Sequence, residues 1–330
     1  MSKFGAIIKQ SFRIPPPTLT ENNLVDQTGK VHIVTGGYAG CGQELVKILY
    51  QKNATIYVAG RSESKALESI SDIKDRYPSS KGRLEFLAVD LSALSSIKKA
   101  VQTFEAKETR LDVLTNNAGV MWPPAGSKDH HGHELQMGTN CLGPFLFTEL
   151  LLPILRSTVS VASPGSVRVT WAASLAGITN GLKDGVQFDA HGSPKVHGSA
   201  TIDYGQSKFG NMILASEFSK RYGKDGILSV SFNPGNLQTE LQRHVSSIGK
   251  MIISPMLHAP IYGAYTELYT GWSSEITSEH NGWYIIPWGR IDTQGLGRDV
   301  VKSLQSEKEG GSGVALAFWE WCDRETASFR

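Results

Sequence analysis

Val31-His32-Ile33-Val34-Thr35-Gly36-Gly37-Tyr38-Ala39-Gly40-Cys41-Gly42 is the stretch that decides the fold. Its first five residues are rich in β-branched side chains and carry no break, the pattern of a strand buried on both faces of a parallel sheet. Glycines at 36, 40 and 42 then let the backbone turn sharply and come close to an anion. The helical stretch that follows, residues 43–51, aims its free N–H groups and positive dipole end at the same place. Many glycine-rich turns only cap a strand. Lying between a strand and a helix, this one reads as a phosphate loop, with Gly36, Tyr38, Gly40, Cys41 and Gly42 as candidate nucleotide-binding residues.

Outward from that turn the chain alternates. Residues 55–59, 84–88, 112–115, 167–171, 228–232 and 282–287 read as strands, and 64–76, 95–106 and a long stretch around Tyr204 as helices. Such alternation predicts an α/β fold: a doubly wound parallel sheet of about seven strands with helices on both faces. No polar linker divides the chain, so a single domain over residues 29–330 follows an N-terminal arm, 1–28, expected to be extended. Two segments break the rhythm. Residues 177–200, rich in Gly, Asp, His, Ser and Pro, predict a surface loop or insertion. Residues 237–270, apolar and broken by Pro255 and Pro260, suit a lid over a pocket or, equally, a packed helical pair. Residues 313–326 end the chain as an amphipathic aromatic helix, docked on the body, buried against a second subunit or closing the pocket.

Composition removes several classes of function. A net charge of +2, from 33 basic and 31 acidic residues, gives no pull toward nucleic acid. Three scattered cysteines, Cys41, Cys141 and Cys322, make no disulfide framework and suit a reducing, cytoplasmic setting. No uninterrupted apolar run reaches the roughly 20 residues of a bilayer span, so no integral membrane segment is expected.

Chemistry concentrates at the predicted strand ends. The second strand runs into Gly60-Arg61-Ser62 where folds that choose NAD place an acid for the ribose 2′-hydroxyl. An arginine pairs instead with a 2′-phosphate through two charge-assisted bonds, with Ser62 assisting, and this favours NADP(H) over NAD(H). The other reading, Arg61 stacked on adenine, leaves the preference open. Asp90-Leu91 follows the third strand and could bond the adenine or simply cap a helix. Asn116-Asn117-Ala118-Gly119 follows the fourth, its small residues leaving room for a ribose. Tyr204 and Lys208 stand one helical turn apart on one face. A free phenol, with a pKa of about 10, is a poor acid at neutral pH, and a fixed cation beside it lowers that value. Most pairs of this spacing are a core-edge tyrosine and a solvated lysine, so the remaining motifs must decide.

They do so jointly. Thr35-Gly36-x-x-x-Gly40-x-Gly42, Asn116-Asn117-Ala118-Gly119, Asn140, Ser174, Tyr204-x-x-x-Lys208 and Pro234-Gly235-x-x-x-Thr239 follow the order and approximate spacing of the classical short-chain dehydrogenase/reductase family, which the chain resembles from about residue 29 to 288. The run Gly138-Thr139-Asn140-Cys141-Leu142-Gly143-Pro144-Phe145 is similar to the retinol-dehydrogenase and WW-domain-oxidoreductase-like branch, in its fungal form. The resemblance implies a Rossmann-type fold and a catalytic tetrad of Asn140, Ser174, Tyr204 and Lys208. Tyr204 would exchange the proton with the substrate oxygen, Lys208 would lower its pKa and hold the nicotinamide ribose, Ser174 would bond the same oxygen, and Asn140 would position a water chain. Asn117, Ala118 and Gly119 would border a ribose, and Pro234, Gly235 and Thr239 would wrap the nicotinamide end.

Departures from the pattern are few. Trp171-Ala172-Ala173-Ser174 keeps only the second of the family's paired serines. Ser174 and Tyr204 are separated more widely than usual, which marks 177–200 as an insertion bordering the substrate. Cys41 takes an aliphatic position as a small buried side chain. His130, His131, His133 and Glu134 lack the partners for a metal site and read as a solvated loop running into the Asn140 helix.

The expected activity is NADP(H)-dependent interconversion of a carbonyl and an alcohol on an apolar small molecule, suggested by Met121, Trp122 and Leu237, with a role in fungal secondary metabolism implied by the resemblance. The competing class is a nucleotide-binding protein of the same fold with lost or diverted redox chemistry, acting as a sensor, scaffold or non-redox catalyst. A homo-oligomer is left open.

Overall fold

The structure, a computed structural model, describes residues 3–238, 257–292 and 296–330. Eight strands form one sheet: β1 (Val31–Thr35), β2 (Thr55–Gly60), β3 (Arg83–Ala88), β4 (Val113–Asn116), β5 (Arg168–Ala172), β6 (Leu228–Phe232), β7 (Tyr284–Ile286) and β8 (Arg290–Ile291). Their order is β3-β2-β1-β4-β5-β6-β7-β8; all neighbours are parallel except β7 and β8. The two-residue antiparallel edge is the strand beyond the expected seven. Chain direction across the sheet reverses between β1 and β4, the switch point outside which open α/β sheets bind ligands.

Side-chain alternation sorts the two layers. Tyr57 and Ala59 of β2 join a core with helices α4 (Leu94–Glu105), α5 (Leu135–Val159), α7 (Ala200–Tyr222) and α10 (Val314–Thr326). Ile56 and Val58 face α2 (Gly40–Gln51), α3 (Glu63–Arg76) and α8 (Pro260–Trp272). Among the described residues one helix, α5, is by length and composition apolar enough to cross a bilayer, and 67% of its most apolar window is buried in the fold. The C-terminal helix α10 docks on the body, with Phe318, Trp319 and Trp321 buried.

Three expectations change. The N-terminal arm is not wholly extended: Lys3–Ser11 form α1, pinned where Gln10 Oε1 accepts from Asn233 Nδ2 at 2.8 Å and from Tyr284 Oη at 3.0 Å. Of the segment expected as a lid, residues 239–256 lie outside the described residues, and its later part is the core helix α8. Pro260 starts that helix instead of breaking it, because proline fits the first turn, where the missing N–H is not needed. The 177–200 segment begins inside the short helix α6 (Leu175–Thr179) and continues as a loop.

Candidate active site

The nucleotide turn is held by one hydroxyl. Thr35 Oγ1 accepts from the amides of Asn117 and Ala118, both at 2.9 Å, and Asn117 Nδ2 donates to the Thr35 carbonyl at 2.8 Å. The ends of β1 and β4 are therefore locked together at the switch point. Gly36 and Gly40 take left-handed φ values of +67° and +55°, which glycine adopts without strain. At Gly42 the reason is space: a Cβ there would lie 2.5 Å from Asn117 Nδ2 and 2.9 Å from the Gly36 carbonyl. Cys41 is a buried thiol whose pKa burial pushes well up, so it is a packing residue facing Gly263 of α8. Beneath it in α8, Glu267 is fully buried with neither carboxyl oxygen hydrogen-bonded among the described residues, and burial raises its pKa to about 8.

At the end of β2, the ring of Tyr38 lies against Gly60 so closely that a Cβ at 60 would collide with its edge. An acidic side chain cannot stand there while Tyr38 keeps its place. Arg61 is exposed and lines the cavity, as do Asp90 and Leu91. Asp90 spends its carboxylate locally, accepting from the Ser92 amide at 2.9 Å and the Ser92 hydroxyl at 2.7 Å. Ser62 is the residue before α3 and is not part of the cavity wall.

A cavity of about 860 Å³ runs from this turn past the end of β5 to the start of α7. Ser174, Tyr204 and Lys208 share its wall with Gly36, Tyr38, Gly40, Cys41, Asn117, Ala118, Gly119, Pro234 and Gly235. Thr239 lies outside the described residues. Ser174 N-caps α6, accepting from the Ala176 amide at 3.2 Å, and its hydroxyl acts on the Tyr204 phenol to lower its pKa. Lys208 donates to the Ala172 carbonyl at 2.7 Å, and its Nζ stands 5.8 Å from the centroid of the Tyr204 ring.

Electrostatics here differ from the expectation. Burial pushes the Tyr204 phenol well above its ordinary value, only partly opposed by Ser174. Burial also pulls Lys208 down to about 8, opposed by the neighbouring Cys141 thiol. With Lys208 Nζ 5.8 Å from the ring centre, burial decides the direction of the Tyr204 shift. In this state Tyr204 is a protonated acid, ready to donate.

Asn140 owes its position to the next proline. Gly138–Leu142 form a π-helical turn inside α5, in which the Gly143 amide bonds the Gly138 carbonyl. Pro144 has no N–H to give the Asn140 carbonyl and would crowd it in a regular helix; the widened turn relieves this. The Asn140 side chain accepts from the Val120 amide at 2.8 Å and donates to the Val120 carbonyl and to Ser207 Oγ, both at 3.0 Å. Gly119 fits beside it because a Cβ would come within 2.9 Å of Asn140 Oδ1 and 3.4 Å of Lys208 Nζ.

Sequence reasoning passed over Gln136, Thr179 and Thr201. Thr179 and Thr201 line the cavity beside Met121, Trp122 and Leu237. Thr201 stands three residues before Tyr204, one turn away, and that spacing could have marked it. Among the described residues the histidines gather no group of three metal-binding side chains. His133 Nδ1 bonds Asp129 Oδ2 at 2.8 Å, its Nε2 is 3.4 Å from Glu325 of α10, and those two acids raise its pKa.

The sequence model described as short chain dehydrogenase matches residues 30–180. A short-chain dehydrogenase/reductase from Phomopsis amygdali is 44% identical over 95% of this chain and 94% of its own. The short-chain dehydrogenase/reductase pkfC of Emericella nidulans is 41% identical over 95% and 98%. The chain belongs to the short-chain dehydrogenase/reductase family and is an oxidoreductase of that family. Solved structures agree on the fold. A Mycobacterium paratuberculosis protein superposes with a TM-score of 0.66 at 23% identity, covering 94% of this chain and 97% of that one. The Pseudomonas aeruginosa RhlG/NADP active-site complex superposes with a TM-score of 0.60 at 24% identity, covering 79% and 95%.

Proposed function

We propose that the protein interconverts a carbonyl and an alcohol on an apolar small molecule, using NADP(H), with Asn140, Ser174, Tyr204 and Lys208 as its catalytic group. The observation that carries this reading is that Ser174, Tyr204 and Lys208 share one cavity wall that continues into the nucleotide turn. The residues fit a dinucleotide: Gly36 and Gly40 turn left-handed on the cavity wall, Gly42 lets the following helix close against Asn117, and Gly119 keeps space clear beside Lys208. When bound, the nicotinamide supplies or accepts hydride. Gly36, Tyr38, Gly40 and Cys41 would line the phosphate side, Asn117 to Gly119 the ribose, and Pro234-Gly235 and Thr239 the nicotinamide end.

Ser174 orients the carbonyl oxygen by a hydrogen bond. Tyr204 gives its proton to that oxygen as negative charge develops there, and takes it back in the alcohol direction. Lys208, a cation below about pH 8, stabilises the phenolate that Tyr204 leaves behind. Asn140 holds the 119–120 backbone and the π turn that sets the floor beside Lys208.

NADP over NAD rests on two neighbours: Arg61, exposed at the cavity, and Tyr38, whose ring occupies the space an acid at position 60 would need. The RhlG complex, similar in fold, holds NADP at its active site and supports this choice. Apolar substrate preference is supported by Met121, Trp122, Leu237 and Leu257 on the wall. The fungal source of the relatives supports a place in fungal secondary metabolism.

The test is titration with NADPH and NADH, in the native protein and in Arg61→Ala, followed by turnover of a carbonyl panel by native protein and Tyr204→Phe. Preference for NADPH lost in Arg61→Ala, and turnover lost in Tyr204→Phe, are expected. Tight NADPH binding with no turnover of any carbonyl would favour the non-redox alternative.

A further inference from the structure

Trp122 carries the most strained backbone on the cavity wall. Its φ is +52°, a left-handed value that bulky residues avoid, and it precedes Pro123-Pro124, which restricts it further. Its indole Nε1 is buried with no hydrogen-bond partner among the described residues. Such a conformation persists only where the surroundings hold it.

What holds it is Gln136, 1% exposed. Gln136 Oε1 accepts from the Trp122 amide at 2.9 Å. The other end of the same amide, Nε2, donates to the carbonyl of Ala200 at 3.1 Å and to Glu134 Oε1 at 3.3 Å. Ala200 is the first residue of α7, one turn before Tyr204.

The arrangement repeats that of Asn140. Residues 136 and 140 are one turn apart on α5, roughly 6 Å of helix, and the residues they grip, 122 and 120, are two apart in the loop that follows β4. The two amides therefore grip alternate residues of the same wall loop. Asn140 fixes the end near Lys208, and Gln136 fixes the end that carries the tryptophan.

We propose that Gln136 is a positioning residue for substrate selection: it holds Trp122 in its left-handed backbone, ties it to the start of the Tyr204 helix, and so sets the width of the cavity between them. This deepens the carbonyl-reduction reading and rests on it. The consequence is a ceiling on substrate girth beside Tyr204, with the cofactor side untouched.

Three variants separate the contributions. Gln136→Leu keeps the volume and removes every bond. Gln136→Glu keeps the acceptor for the Trp122 amide but cannot donate to Ala200. Gln136→Leu combined with Trp122→Gly also removes the left-handed strain. The probes are acetophenone, naphthaldehyde and fluorenone with NADPH, together with amide hydrogen exchange over residues 120–124, read at 120–122 because Pro123 and Pro124 carry no amide hydrogen.

In Gln136→Leu, exchange over 120–124 should rise by about tenfold or more. The ratio of kcat/KM between the widest and narrowest probe should change by about fivefold or more, through KM, with NADPH affinity within about twofold. Gln136→Glu should protect the Trp122 amide yet alter selection by a smaller factor. The double variant should regain thermal stability without regaining the native probe ratio.

Unchanged exchange in both single variants, or an equal loss of kcat on every probe, overturns the proposal. If Gln136→Leu does not fold, Gln136→Glu decides through its probe ratio, and a ratio equal to the native one overturns the proposal. Should the native protein reduce no probe, the carbonyl reading fails, and exchange at Trp122 separately decides whether Gln136 holds the wall.

Discussion

The two ends of the cavity are built differently. At the nucleotide end, position is imposed by the main chain: Thr35 Oγ1 gathers two amides, Gly36 and Gly40 turn left-handed, and Gly42 packs against Asn117 with no room for a Cβ. At the substrate end, single side chains hold loops in place, with Gln136 gripping Trp122, Asn140 gripping Val120, and Ser174 capping α6. The first kind of site follows from a short local pattern. The second depends on which loops the fold happens to bring together, and so it can change while the chemistry stays.

Tyr204 stands at the junction, and its loss should be the largest single effect. Tyr204→Phe should cut turnover by roughly 10²- to 10⁴-fold, the usual scale for removing a general acid, with NADPH affinity within about twofold. Stopped-flow reduction and a fluorescence titration measure both. Turnover near the native rate would remove the junction from the comparison altogether.

Arg61→Ala should act on the nucleotide end alone. Losing charge-assisted bonds to a phosphate costs roughly 1.5–3 kcal/mol, about 10- to 100-fold in NADPH affinity, with NADH and substrate KM little changed. A change in substrate KM equal to the change in NADPH affinity would mean that the two ends are not separable.

Glu267→Gln probes the ground beneath the nucleotide turn. Burial raises the folded pKa of Glu267 from 4.5 to about 8. A raised carboxyl pKa favours the folded state fully below the unfolded pKa, and that advantage is lost as pH rises through the folded one. Relative to the native protein, the variant should therefore gain stability progressively from about pH 4.5, levelling off above about pH 8. Melting curves across that range test this; a difference independent of pH would mean Glu267 has a partner in solution.

The pH profile of reduction should fall above about pH 8 as Lys208 loses its proton, because a neutral amine no longer stabilises the phenolate of Tyr204. A rate level to pH 10 would remove Lys208 from that role. The smallest effect belongs to the substrate rim. Thr201→Val should change kcat/KM by no more than about fivefold, differently for polar and apolar carbonyls, and leave NADPH affinity alone, since one neutral hydrogen bond contributes about 1 kcal/mol. An NADPH effect there would break the division between the two ends.

Much of this was legible along the chain. β1 and β6 match their expected bounds, and α2 begins only three residues before its expected start because Gly40-Cys41-Gly42 form its first turn. Local signals fell short where tertiary packing intervened. Residues 237–270 suit a lid or a packed helical pair by composition alone, and only packing shows that α8, within the described part, joins the core through Ala264 and Leu268. Lys208 was expected to lower the phenol of Tyr204; here Lys208 Nζ lies 5.8 Å from the ring centre, and burial decides the direction.

By itself the sequence determined the strand-turn-helix unit, the parallel order of the sheet and the spacing of Tyr204 and Lys208, because β-branched runs, glycine turns and helical periodicity act over a few neighbours. Only the tertiary structure decided that Tyr38 fills the space at Gly60, that Pro144 widens the turn holding Asn140, and that Gln136 bridges Trp122 to Ala200. Those contacts join residues far apart in the chain or depend on burial. Desolvation and close packing are properties of the assembled interior, which no local stretch of sequence contains.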